Sequence, residues 1–135
     1  MKIENIMSKK VVTVKMDDTL GKVKELFSNH RFHHLLVVED GKLFGVLSDR
    51  DLLKSLSPNI GTLAETNKDL AALNRKVHQI MTRNPIALNE SAQLGEAVEL
   101  FNQQKISCIP IINLDNVPVG VLSWRDIMRA LVKPA

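Results

Sequence analysis

The feature that most constrains this chain is an internal repeat. Ile6-Met7-Ser8 returns as Ile80-Met81-Thr82, at an offset of 74 residues. Leu20-Gly21 returns as Leu94-Gly95, and Glu25-Leu26-Phe27 as Glu99-Leu100-Phe101, at the same offset. Gly45-Val46-Leu47-Ser48-Asp49-Arg50-Asp51 then returns as Gly120-Val121-Leu122-Ser123-Trp124-Arg125-Asp126, at an offset of 75. The one-residue slip falls between Val38 and Gly45, where a hairpin turn is expected. Turns absorb insertions cheaply, so a slip confined to one supports the repeat.

Each copy reads alike. Val11 to Val14 and Ile86 to Leu88 are short β-rich runs, followed by Asp17 and Ser91 as candidate helix caps. Leu20, Val23, Leu26 and Phe27 recur at helical spacing, as do Leu94, Ala97, Val98, Leu100 and Phe101. Two apolar runs follow, Leu35 to Val38 and Ile109 to Ile112. Asp40-Gly41 marks a hairpin turn in the first copy, and Asp115-Asn116 takes its place in the second. Strands over Leu43 to Leu47 and Val117 to Leu122 lead into closing helices, from about Ser48 to Leu56 and from about Ser123 to Val132. The expectation is a mixed α/β (α+β) fold of two pseudo-symmetric βαββα-like units, each a small three-stranded sheet with helices on one face. The expected bounds are 1–57 and 77–135, with 58–76 a helical linker packed on the module through Leu63, Leu70, Leu73 and Val77.

Composition excludes several classes. The 135 residues are 44% hydrophobic and 24% charged, enough for a globular core. The net charge of +3 is mild and its cations are scattered, which argues against nucleic acid. One cysteine, Cys108, rules out an intramolecular disulfide, and it reads as a buried thiol. The start of the chain has no signal-peptide pattern and no apolar run could span a bilayer, so a cytoplasmic, non-membrane protein is expected. His30, His33, His34 and His78 do not make a metal site, because His33 and His34 are adjacent and no second cysteine exists. No nucleophile–base pair, glycine-rich phosphate loop or cofactor fingerprint is present, so no enzyme activity and no catalytic cofactor are expected.

The strand-to-helix corner Gly-Val-Leu-Ser-x-Arg-Asp is the segment with chemistry. Its serine stands where an apolar strand enters a helix, and helix N-termini favour anions. The aspartate three residues on faces the same way, and a carboxylate there could accept both hydroxyls of a ribose. Ser-x-x-Asp is equally a capping box, in which the two side chains only satisfy the helix end.

Ile-Met-Ser/Thr, Leu-Gly at the first helix, the paired apolar strands and the Gly-h-h-Ser-x-x-Asp corner (h, hydrophobic) together resemble the CBS-domain family. The likeness runs from Ile3 to Leu131 except Ser57 to Lys76, and the chain is similar to stand-alone two-unit proteins of the acetoin-utilisation regulatory type. The resemblance implies a regulatory module with two clefts between its units for adenosine ligands: AMP, ADP, ATP or S-adenosylmethionine. It implies Asp51 and Asp126 on ribose, with Ser48 and Ser123 near ribose or phosphate. It implies Asn84, Pro85 and Ile86 beside a base in the Asp51 cleft, and Lys10, Val11 and Val12 in the Asp126 cleft. His33 and His34 would meet phosphate in the first copy, where the second has Ser107 and Cys108. On that asymmetry the Asp51 cleft is expected to take the more anionic ligand, or to bind it better. Arg50, Arg125, Arg31 and Lys105 are secondary candidates, and Trp124 is expected as a core or interface anchor, or beside a base. The resemblance further implies a homodimer and a regulated protein partner. The competing expectation is a ligand-free assembly module.

Overall fold

A computed structural model describes residues 1–132; Lys133, Pro134 and Ala135, at the end of the expected second copy, lie outside the described residues. The chain folds as two compact units, each a small sheet with helices packed on it.

The first unit comprises Val12–Glu39 and Phe44–Arg83. Its sheet has the order β1 (Thr13–Val14), β2 (His34–Glu39), β3 (Lys42–Ser48), β4 (Thr82–Arg83). β1 runs parallel to β2, with Thr13 opposite Leu36, and β4 runs antiparallel to β3, with Gly45 opposite Arg83. Three strands were expected. The fourth is Thr82-Arg83, which follows the Ile-Met motif. Between β1 and β2 lies α1 (Leu20–Asn29), and after β3 comes α2 (Asp49–Ser55). Leu20 and Val23 of α1, Leu35 and Val37 of β2, Leu47 of β3 and Leu52 of α2 form one core with Val14, Val77 and Met81. Alternation along β3 follows the pleat, with Leu43, Gly45 and Leu47 buried.

The second unit comprises Met1–Val11, Asp40–Leu43 and the chain from Asn84 onward. Its sheet has the order β5 (Leu88–Asn89), β6 (Cys108–Ile112), β7 (Pro118–Ser123). α4 (Leu94–Gln103) and α5 (Trp124–Val132) complete it. The core gathers Ala97, Phe101, Ile109, Ile111, Leu122 and Ile127 with Ile3, and Ile6 and Met7 pack on it. The tip of the first hairpin joins this unit: Leu43 N–H donates to the Asn116 carbonyl at 3.0 Å, and Asn116 Nδ2 to the Leu43 carbonyl at 3.2 Å. Asp40 and Gly41 take φ of 52° and 79°, both in the left-handed region that a two-residue hairpin turn demands.

Repeat and compact unit therefore have different bounds. Ile3 and Val77 are equivalent residues, both fully buried, and each lies in the core built by the other copy. The backbone repeats the exchange: Ser8 pairs with Val121 as Thr82 pairs with Val46. Met side chains make the contact close. A Cβ on Gly45 would stand 2.7 Å from Met81 Sδ, and one on Gly120 would collide with Met7 Sδ. The glycine of the corner motif is thus needed by the methionine of the Ile-Met motif.

Two local expectations are corrected. α1 and α4 are capped by Thr19 and Gln93 rather than by Asp17 and Ser91. The residues before them form turns instead, in which Asp18 accepts from Lys15 N–H and Asn89 from Ser91 N–H. The expected linker helix is only α3 (Asn67–Ala71) and a following 3-10 turn, Ala72–Asn74. Thr66 and Asp69 cap that helix reciprocally, so it begins after Leu63, which is fully exposed. Leu70 is exposed too; Leu73 reaches α1 beside Gly21, and Val77 is buried.

Candidate functional site

β3 ends and α2 begins at Ser48. Ser48 Oγ accepts from Asp51 N–H at 3.0 Å, and Asp51 Oδ2 accepts from Ser48 N–H at 2.9 Å. This reciprocal pair satisfies two donors at the helix start. It engages Oδ2 only, so Oδ1 takes no part in the cap. His33 enters the same corner from the other side. Its Nδ1 lies 2.8 Å from Asp49 Oδ2, and the Asp49 N–H donates to the His33 carbonyl at 3.0 Å. His34 begins β2 beside them. Burial lowers its pKa from the ordinary 6.5, opposed by the negative charges of Asp49 and Asp51 and reinforced by His33.

The second corner repeats the cap. Asp126 Oδ2 accepts from Ser123 N–H at 2.9 Å and from Ser123 Oγ at 3.2 Å, and Asp126 N–H donates to Ser123 Oγ at 3.3 Å. Arg129, one turn on, places Nη2 at 3.8 Å from Asp126 Oδ1. In place of Asp49 stands Trp124, its ring 4.8 Å from that of Phe101 and 39% of the residue exposed. Trp124 is thus anchored on the core helix while keeping a solvent-facing edge.

The structure unites Ser48, Asp51, His33 and His34 in the first unit, and Ser123 with Asp126 in the second. Lys10 and Val11 belong to the same unit as Asp126, whereas Val12, whose carbonyl accepts from Leu36 N–H, belongs to the first unit. Asn84, Pro85 and Ile86 belong to the second unit, with Asn84 at φ 49°. Arg31, Arg50, Arg125 and Lys105 are exposed. The expected cationic pair at the first corner has its charge offset, because Asp49 holds His33 and burial disfavours the charged form of His34. Sequence reasoning missed Asp49 as that partner, and missed Arg129. The latter sits at the i+3 spacing that a helix brings together; the former contact links residues 16 apart in sequence, which no periodicity signals. Cys108 is buried. Among the described residues no cluster of three metal-ligating side chains occurs, and no helix is long and apolar enough to cross a membrane.

The CBS domain family model matches residues 3–58 and 77–133. The chain belongs to the CBS-domain family. The uncharacterized protein MJ1225 of Methanocaldococcus jannaschii is 30% identical over 131 residues, covering 93% of this chain and 47% of the relative, so the chain spans about half the length of that protein. The crystal structure of MJ1225 superposes with a TM-score of 0.82 over 97% of this chain and 50% of the other. The AMP complex of CBSX2, an Arabidopsis thaliana protein, shares the fold at 24% identity and a TM-score of 0.79, covering 97% of this CBS protein and 96% of the other. So does the CBS domain pair of MJ0100 in complex with 5′-methylthioadenosine and S-adenosylmethionine, at 23% identity, a TM-score of 0.79, and 97% and 95% coverage.

Proposed function

We propose that this CBS protein is a regulatory ligand-sensing module, not an enzyme, that binds adenosine-containing ligands of the AMP, ADP, ATP or S-adenosylmethionine class at its two strand-to-helix corners. The observation that carries the reading is the duplicated aspartate. Asp51 Oδ2 is held by the Ser48 N–H, and Asp126 Oδ2 by the Ser123 N–H and hydroxyl, while the cap leaves Oδ1 out at both corners. A pre-oriented carboxylate suits a cis-diol, and pre-orientation reduces the entropy lost on binding. Ligands seen in CBSX2 and in the MJ0100 pair contain adenosine, which supports the ligand class. Asn84, Pro85 and Ile86, and Lys10, Val11 and Val12, are proposed to flank the bases, with Arg50 and Arg125 as outer cations. No catalytic cofactor and no metal enter the proposal. The nucleotide acts as a regulatory ligand, and it shifts the module only by binding one of its states more tightly.

The module is further proposed to work in the cytoplasm as a homodimer read by a separate protein. Symmetric pairing is the common arrangement for soluble assemblies, and α5 exposes Met128 and Leu131 beyond Trp124. Nucleic acid and membrane have no part in the reading.

A second reading has a specific observation in its favour. The complete capping box at Ser48 and Asp51 accounts for both side chains without a ligand, as in a pure assembly module. Thermal unfolding with adenosine, AMP, ADP, ATP and S-adenosylmethionine separates the two. A ligand at about 100 times its dissociation constant adds roughly 2.7 kcal/mol of stability. An upward shift of the midpoint with at least one compound is expected; no shift with any of them contradicts the sensing reading.

A further inference from the structure

The two corners share a frame but differ by one fixed carboxylate. Asp49 occupies the first position of α2, and its counterpart is Trp124. Asp49 is not a loose surface acid. Its side chain meets His33 Nδ1 at 2.8 Å and its backbone N–H meets the His33 carbonyl at 3.0 Å, so the two residues hold each other twice. The matched position in the second copy is Ser107, which has no imidazole to offer a carboxylate.

The charged and titratable groups that the chain brings to this corner are Asp49, Arg50 and Asp51 at the start of α2, and Arg31, His33 and His34 just before and at the start of β2, with Arg31 and Arg50 exposed. A phosphate drawn to His33 must compete with a carboxylate already at hydrogen-bond distance, and it meets that carboxylate as a like charge. His34 is a poor replacement cation, since its burial favours the neutral ring. A neutral or cationic substituent meets no such repulsion. The Trp124 corner has an aromatic edge in the same place and Arg129 beside its aspartate.

We propose that Asp49 is a specificity residue of the first corner, selecting adenosine ligands whose 5′ substituent is neutral or cationic over those carrying phosphate, and that the second corner lacks this discrimination. The proposal rests on the reading that adenosine ligands bind at Ser48 and Asp51, with their 5′ end toward His33. It reverses the preference that the histidines alone suggest, because it counts the carboxylate that holds one of them.

Calorimetric titration of the full chain tests it. The second corner is silenced by Asp126→Ala, or by Asp126→Asn if the alanine variant unfolds, and adenosine, S-adenosylmethionine, AMP and ATP are titrated with and without Asp49→Asn. With Asp49 present, adenosine and S-adenosylmethionine bind more tightly than AMP and ATP. Asp49→Asn raises AMP and ATP affinity by about fivefold, the scale of one partly exposed charge interaction, and leaves adenosine within about twofold. Phosphorylated ligands binding as tightly as adenosine with Asp49 present would overturn the proposal. An equal change for all four compounds would do so as well, since that is what a merely structural Asp49 gives. If none of the four binds even the unsubstituted chain, the sensing reading falls and this one with it; adenosine binding with an unchanged ratio removes this one alone.

Discussion

Ser48 and Asp51 close a helix end, and the same carboxylate is proposed to meet a ligand. The two roles separate by substitution. Ser48→Ala removes the acceptor for Asp51 N–H and is expected to cost about 1 kcal/mol of stability, the usual value of a lost cap, measured by denaturant unfolding. Asp51→Asn keeps an acceptor for the Ser48 N–H and is expected to lose less stability than Ser48→Ala while weakening adenosine binding more. His34 supplies a pH dependence. Its folded pKa lies below the unfolded 6.5, so the unfolded chain binds more protons between the two values. Stability is therefore fully retained above about 6.5 and falls as pH drops below it toward the folded pKa. Comparing unfolding midpoints at pH 7.5 and pH 5.5 should show a larger drop for the native chain than for His34→Asn. An equal drop in both would show that His34 is not the group responsible. At this scale the caps at Ser48–Asp51 and Ser123–Asp126 were readable from sequence, because Ser-x-x-Asp at a strand end is a capping pattern. The Asp49–His33 pair was not, because only the fold brings β2 and α2 together.

The elements follow from pattern where the pattern is strong and depart from it where local side chains intervene. Leu20 and Val23 mark α1 correctly, yet Thr19 rather than Asp17 starts it, and Asp18 between them closes a turn of its own on Lys15 N–H. Leu63 matches the spacing of a longer linker helix, but the Thr66–Asp69 capping box begins α3 after it. Pro110 in an apolar run argues against an interior strand. It is tolerated in β6 because β5 pairs only with Ile111 and Ile112, so no N–H is missed on that side at Pro110. The clearest prediction at this scale concerns the glycine–methionine contacts. Gly45→Ala and Gly120→Ala should each destabilise by about 1–3 kcal/mol through overpacking against Met81 and Met7. Combining Gly120→Ala with Met7→Ala should recover part of that loss, and a simple sum of the two single effects would mean that the contact is not the cause.

On the scale of the whole molecule, the repeat and its order of elements were legible, but the exchange of leading segments was not. A repeated motif fixes which residues are equivalent, not which copy they pack in. Ile3 is fully buried in the core of the second unit, so Ile3→Ala should cost about 2–5 kcal/mol. Deleting residues 1–11 removes Ile3, Ile6 and Met7 from that core. Hydrogen exchange should then rise in β6 and β7 while β1 and β2 keep their protection; an equal rise in both sheets would contradict the exchanged packing. The account as a whole turns on two equivalent corners acting as ligand sites. The most direct measurement is a calorimetric titration of adenosine into the native chain, Asp51→Ala, Asp126→Ala and the double variant, with folding of each confirmed by circular dichroism. Each single substitution is expected to remove or weaken one binding event, and the folded double variant to bind no adenosine. A folded double variant that binds adenosine as the native chain does would contradict two corner sites.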